Sequence, residues 1–267
     1  MQPGPLTGRI GSLPERYSKQ DLAILTREER AHLRIGDAAD PSRNPELAWE
    51  LLYRLEPELY DRLASAESLH PGILDWLPDR VERIVEVAAG SGRLTLALTG
   101  RCRELTAIEP AGPMRTILAR KLERFVDPGG RVADRSPRVR IVGGFFDALP
   151  VSDRSAELVI TCSALTPEPL HGGRAGLAEM ERVCASGGMV AVVWPNHPEW
   201  LTAQGYRYLA FEGEMAMAFA SLAEAIELAR IFYPDAAAEI MRRGDRRVPY
   251  EVVGVNPPRD LAYKTIA

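Results

Sequence analysis

A chain of 267 residues with 46% hydrophobic and 26% charged positions is long enough to bury a sizeable core, which excludes disordered and collagen-like classes. Its net charge of −4 provides no global footprint for nucleic acid or an anionic membrane surface. Three scattered cysteines, Cys102, Cys162 and Cys184, form no C-x-x-C pair, so reduced cytoplasmic thiols are expected rather than a disulfide framework or a zinc site. Lysine occurs only at 19, 121 and 264, and arginine supplies the other cations, which reads as genome composition. No apolar run approaches the roughly 20 residues of a membrane helix, and residues 1–5 do not open a signal peptide. The expected partner is therefore a small molecule, without nucleic acid or membrane, and the oligomeric state stays open.

Proline and glycine at 3, 4, 5, 8, 11 and 14 predict an irregular arm over residues 1–16. Ser18 then caps a helix expected over 19–34, with Leu22, Ile24, Leu25 and Leu33 as its apolar positions and Gly36 as its stop. Pro45 and Pro57 each start a helix, the first through Trp49, Leu51 and Leu52, the second through Leu59, Tyr60 and Leu63. Pro71 opens a short fourth segment. Residues 1–79 therefore read as a helical cap.

From residue 81 the pattern changes to short apolar runs alternating with helices. Strands are expected at 84–88, 105–108, 138–142, 157–162 and 189–194, with helices near 94–98, 114–125 and 177–183 between them. Gly187-Gly188 reads as a helix-ending pair before the last of these strands. Such alternation implies a parallel sheet with right-handed crossovers, and strands without polar alternation imply helices on both faces. Beyond residue 195, Trp200, Tyr206, Tyr208, Phe211, Met215, Met217 and Phe219 form an aromatic and Met-rich stretch. We expect 196–221 to be a lid insertion roofing the sheet's carboxyl edge as an apolar acceptor pocket. A helix at 222–232 is expected before the sixth strand, and Asn256-Pro257-Pro258 as a turn between closing antiparallel strands at 250–255 and 261–266.

The chemistry concentrates at Ile84-Val85-Glu86-Val87-Ala88-Ala89-Gly90-Ser91-Gly92. A strand, a turn of small residues and a helix start offer unpaired N–H groups to a nucleotide-like ligand. Glu86 at the mouth opposes a pyrophosphate and suits a cation. Thr95 stands where a dinucleotide loop needs its third glycine, which weakens a redox reading. Glu109 ends the next strand, where an acid can accept hydrogen bonds from both hydroxyls of a ribose.

These stretches resemble, in order, the motifs of the class I S-adenosylmethionine-dependent methyltransferases: VEVAAGSGRLT, LTAIEP, GGFFDALPVSDRSAELVI and EMERVCASGGMVAVVWP. The resemblance covers residues 81–195. It implies a Rossmann-like, seven-stranded, mostly parallel α/β sheet with an antiparallel closing strand, residues 80–267 forming the core. It also implies S-adenosylmethionine as cofactor and S-adenosylhomocysteine as product. Carried over residue by residue, the cofactor contacts are Glu86, Ala88, Gly90, Gly92, Glu109, Pro110, Met114, Phe146, Asp147 and Cys162. Ala88 replaces the commonest glycine, a mild change if its φ is negative. Phe145 occupies the usual place of the adenine-binding acid, so either Asp147 reaches the adenine or Phe146 supplies main-chain and ring contacts. Asn256-Pro257-Pro258 echoes a motif of nucleic-acid amino-methylating enzymes but stands far from the fourth strand. Methyl transfer needs chiefly an aligned nucleophile; where an acceptor must lose a proton, His171 and His197 are the candidate bases. No metal-ligand spacing is present. The expected activity is methylation of a small, apolar or aromatic organic acceptor. The alternative is a non-catalytic protein that binds the same cofactor and acts through partners.

Overall fold

The computed structural model describes residues 13–125 and 138–267, so most of the expected arm at 1–16 lies outside the described residues. The single helix expected over 19–34 is two pieces: a 3-10 turn at Lys19–Ile24 and helix α1, Arg27–His32. Thr26 causes the break. Its hydroxyl accepts from the Glu29 N–H at 3.1 Å while the Glu29 carboxylate accepts from the Thr26 N–H at 2.9 Å, a complete capping box that restarts the helix. Helix α2, Pro45–Leu55, begins where the Asn44 side chain accepts from the Leu47 N–H, and Pro57 starts α3, Pro57–Ala66. Helix α4, Pro71–Trp76, leads to strand β1, Val81–Val87.

The alternating elements follow as α5 (Arg93–Leu98), β2 (Cys102–Ile108), α6 (Gly112–Phe125), β3 (Arg138–Val142), β4 (Ala156–Cys162), α7 (Gly173–Val183) and β5 (Cys184–Val193). Beyond them lie α8 (Pro198–Ala203), β6 (Arg207–Ala210), β7 (Ala216–Ala218), α9 (Leu222–Phe232), α10 (Pro234–Arg243), β8 (Arg247–Pro249), α11 (Tyr250–Val253) and β9 (Asp260–Thr265). Among the described residues, seven strands form one sheet in the order β3-β2-β1-β4-β5-β9-β6; the pairs among β1 to β5 are parallel, and β9 runs antiparallel to both β5 and β6. Adjacent residues of β2 enter different clusters, Ala107 with Leu118 of α6 and Ile108 with Leu177 and Met180 of α7. Both faces are thus covered, as the unbroken apolar runs require.

Three expectations for the later chain are corrected. Gly187 and Gly188 do not end a helix: α7 stops at Val183, and the pair lies within β5, where the register against β4 jumps from Ala156↔Cys184 to Leu158↔Met189. Gly187 has φ +79°, and a Cβ on Gly188 would stand 2.7 Å from the Glu157 carbonyl oxygen, so the bulge needs glycine at both positions. Residues 250–253 are helical rather than extended, closed by Gly254 at φ +74°; the strand on the far side of β9 from β5 is β6, out of the aromatic stretch. Helix α9 is followed by α10 rather than by a strand of the main sheet.

The chain forms two compact units, 1–69 with 212–258 and 70–211 with 259–267, a partition different from the expected 1–79 and 80–267. Long-range pairing explains the first unit. Phe232 stacks on Trp49 at 5.4 Å between ring centroids, and Arg62 binds Glu224 and Glu227. The stretch 196–221 divides at the same boundary, because β6 joins the large sheet while β7 pairs with β8. Of its apolar side chains, Leu201, Tyr206, Met217 and Phe219 are core, at most 2% exposed.

Candidate cofactor site

The strand order reverses between β1 and β4, and in open α/β sheets ligands bind beyond the carboxyl ends of the strands at such a switch point. Each of the three central strands ends there on a non-glycine residue in the left-handed region: Ala88 after β1 (φ +56°), Ser163 after β4 (φ +54°) and Trp194 after β5 (φ +49°). The conformation costs an L-residue about 1–2 kcal/mol, and such strain gathers at functional sites. Ala88 therefore departs from the expected negative φ. The loop is nonetheless formed, because the Ala89 N–H is tied to the Ile108 carbonyl at 3.0 Å and the Gly92 N–H to the Ala89 carbonyl at 3.0 Å.

Glu109 organises this loop. One carboxylate oxygen accepts from the Gly90 N–H at 2.9 Å and the other from the Ala111 N–H at 2.8 Å, so a single side chain at the end of β2 holds both the turn after β1 and the approach to α6. A carboxylate oxygen can accept from more than one donor. The Arg115 guanidinium donates to the Glu109 and Pro110 carbonyls at 2.7 and 2.8 Å, fixing the same corner from α6. Gly92, at φ +96°, gives close approach rather than ligand contact: a Cβ there would meet Leu118 Cδ1 at 2.5 Å.

Glu86 is 2% exposed, and its Oε2 has no hydrogen-bond partner among the described residues. Burial pushes its carboxyl up to about 8; Thr95 of α5 pulls the other way, and the neighbouring Glu109 charge adds to the rise. It thus supports the start of α5 with part of its carboxyl group and leaves one buried oxygen unmatched.

Glu86, Ala88, Gly90, Gly92, Glu109 and Pro110 form one connected cluster. The other expected contacts are differently placed. Met114 is 1% exposed and belongs to the packing of α6. The Phe146 side chain packs against Gly172 and Gly176, where an added Cβ would come within 2.9 Å of it. Asp147 is half-buried in the tight turn closed by the Ala148 N–H on the Phe145 carbonyl, and Cys162 is half-buried at the end of β4. His171 lies on the 3-10 turn Pro169–His171 after β4, where its carbonyl accepts from the Thr166 N–H; His197 precedes α8, where its carbonyl accepts from the Leu201 N–H. Sequence reasoning passed over Arg93 and Trp194. The Arg93 guanidinium lies over the Trp194 ring at 5.3 Å, linking the start of α5 to the end of β5. Each lies inside a quoted motif, Arg93 in VEVAAGSGRLT and Trp194 in EMERVCASGGMVAVVWP, but no local pattern pairs them.

The residues present fit a nucleoside cofactor with a cationic end. Glu109 offers acceptors for a ribose, and the unmatched Glu86 oxygen offers a buried acceptor near the loop. Among the described residues no three His, Cys, Asp or Glu converge as metal ligands, and no helix is long and apolar enough to cross a membrane.

A family model described as a methyltransferase domain matches residues 85–192. Uncharacterized methyltransferases of Mycobacterium tuberculosis and Mycobacterium bovis are each 27% identical over 135 residues, covering 50% of this chain and 49% of theirs. The chain thus spans about half the length of the curated relatives it matches. Among solved structures, the YcgJ protein of Bacillus subtilis aligns with a TM-score of 0.45 at 13% identity, over 74% of this chain and 96% of its own. A SAM-dependent methyltransferase of Aquifex aeolicus aligns with a TM-score of 0.43 at 14% identity, over 60% of this chain and 92% of its own. Residues 85–192, which carry the acid Glu86 in β1 and the acid Glu109 just after β2, thus match a methyltransferase domain.

Proposed function

We propose that the protein transfers a methyl group from S-adenosylmethionine to a small organic acceptor. The observation that carries this reading is the Glu109–Gly90 bond beside the buried, unmatched Glu86 oxygen at the sheet's switch point. Glu109 would hold the ribose hydroxyls, the Gly90 loop would receive the amino-acid portion, and Glu86 would face the cationic end directly or through water. When bound, the cofactor supplies an activated methyl group with a neutral leaving group. The protein's task is then alignment in a dry site, which can supply about 7–11 kcal/mol. The Trp194 ring, 8% exposed beyond β5, supports an acceptor with an apolar or aromatic face.

Isothermal titration with S-adenosylmethionine and S-adenosylhomocysteine tests the reading. Binding of both, with turnover on a broad acceptor panel, is the expected result. Absence of binding to either refutes it, and binding without turnover favours a non-catalytic role.

A further inference from the structure

The antiparallel return of β9 brings a carboxylate to the carboxyl end of β5. Because β9 runs against β5, its first residue, Asp260, stands where β5 ends; the Trp194 N–H donates to the Asp260 carbonyl at 2.8 Å. Asp260 is 7% exposed, its Oδ2 accepts from the Tyr208 hydroxyl at 2.7 Å, and its buried Oδ1 has no hydrogen-bond partner among the described residues. A buried carboxylate with one unmatched oxygen carries a desolvation cost that structural roles seldom leave uncompensated. In the sheet it is two strand spacings from β4, roughly 10 Å, within the span of a small acceptor lying beyond the ends of β4 and β5.

Resting on the methyltransferase reading, we propose that Asp260 is the catalytic base of the reaction, taking the proton of an O–H or N–H acceptor, with Tyr208 as its positioning residue. The acceptor's heteroatom–hydrogen bond breaks as the proton passes to Asp260 Oδ1. The heteroatom's electron pair forms the new bond to the methyl carbon, and the sulfur–methyl bond breaks with its electrons remaining on sulfur. The cofactor's positive charge is thereby balanced by neutralisation of the carboxylate. Burial raises the Asp260 carboxyl above the ordinary range, toward that of a useful base, while the Tyr208 hydrogen bond and the Arg259 charge pull it down. Arg259 also acts on Tyr208, as does Glu199 of α8, and burial with the Asp260 hydrogen bond raises the Tyr208 hydroxyl so that it stays a donor. The acceptor class is therefore one that must lose a proton: phenols, alcohols or amines in preference to carboxylates.

The test uses the full chain and its Asp260→Asn and Tyr208→Phe variants. Titration with S-adenosylhomocysteine should give equal affinities for all three, whereas loss of binding in the wild type would be a failure of the methyltransferase reading itself. S-adenosylhomocysteine release is then followed on a panel of phenols, alcohols, amines and carboxylates across pH. We expect turnover of O–H or N–H acceptors, a kcat at least 100-fold lower in Asp260→Asn with KM little changed, and an acid limb shifted to higher pH in Tyr208→Phe. A purely structural hydrogen bond would not move that limb. Turnover by Asp260→Asn within threefold of wild type overturns the proposal. So does a protein that binds S-adenosylhomocysteine but methylates only carboxylates, or nothing on the panel.

Discussion

Replacing Glu86 by glutamine tests how burial sets the state of the loop. The ordinary value of the glutamate carboxyl is 4.5, and in the folded chain it is pushed up to about 8, first by desolvation and then by the Glu109 charge. Its folded pKa is raised, so between these values the native state binds more protons than the unfolded chain, and stability falls as pH rises. The contribution is fully present below pH 4.5 and is lost progressively up to about pH 8. At about 1.36 kcal/mol per unit, the loss is on the order of 3 kcal/mol at pH 7 and 5 kcal/mol above pH 8. Glu86→Gln removes the ionisation while keeping the shape, so its melting temperature should exceed the wild type's by several degrees at pH 8 and converge with it near pH 5. A cationic ligand beside Glu86 favours its charged form, so binding of S-adenosylmethionine at pH 7 should release a proton. Titration in buffers of different ionisation enthalpy reads this, and the variant should show no such release. Parallel melting-pH curves for the two proteins, together with proton-neutral binding in the wild type, would refute the reasoning.

Glu109→Gln retains one acceptor oxygen where the carboxylate used two, so either Gly90 or Ala111 loses its partner. With about 1.5–3 kcal/mol for a hydrogen bond to a charged group, S-adenosylhomocysteine affinity should fall at least tenfold; unchanged affinity by titration would place the ribose elsewhere. Ala88→Gly relieves a left-handed alanine at φ +56°. Strain relief of about 1–2 kcal/mol against an unfolded-state cost of about 0.4–1 kcal/mol predicts a small net gain in denaturant midpoint. Gly92→Ala meets both a φ of +96° and Leu118 Cδ1 at 2.5 Å. It should destabilise by about 2–4 kcal/mol in chemical denaturation, with a loss of cofactor binding that follows the loss of structure.

The central parallel strands were legible because a strand buried on both faces must be a near-continuous apolar run, as β4 and β5 are over 158–162 and 189–193, whereas the edge strand β3 alternates Arg with Val and Ile. Pro45 and Pro57 marked their helices because proline's fixed φ suits the first helical turn. The capping box at Thr26 and Glu29 was equally local. It was overlooked in favour of the periodicity of Leu22, Leu25 and Leu33, which are buried even though no single helix carries them.

The sequence by itself determined the glycine-rich turn, the acid two residues before it and the acid ending the next strand, since these depend on backbone freedom and short-range spacing. Only the tertiary structure decided how those groups are used. The φ of Ala88 follows from a bond between Ala89 and β2, and the state of Glu86 follows from α5 and β2 closing over it. The identity of the closing strand, β6 rather than 250–255, depends on which segment meets β9 across the sheet. Asp260 reaches the carboxyl edge because an antiparallel strand starts where its neighbour ends, and no local pattern of residues records that meeting. Burial and long-range pairing are properties of chain closure, so they set the chemistry of residues whose identities alone left it undecided.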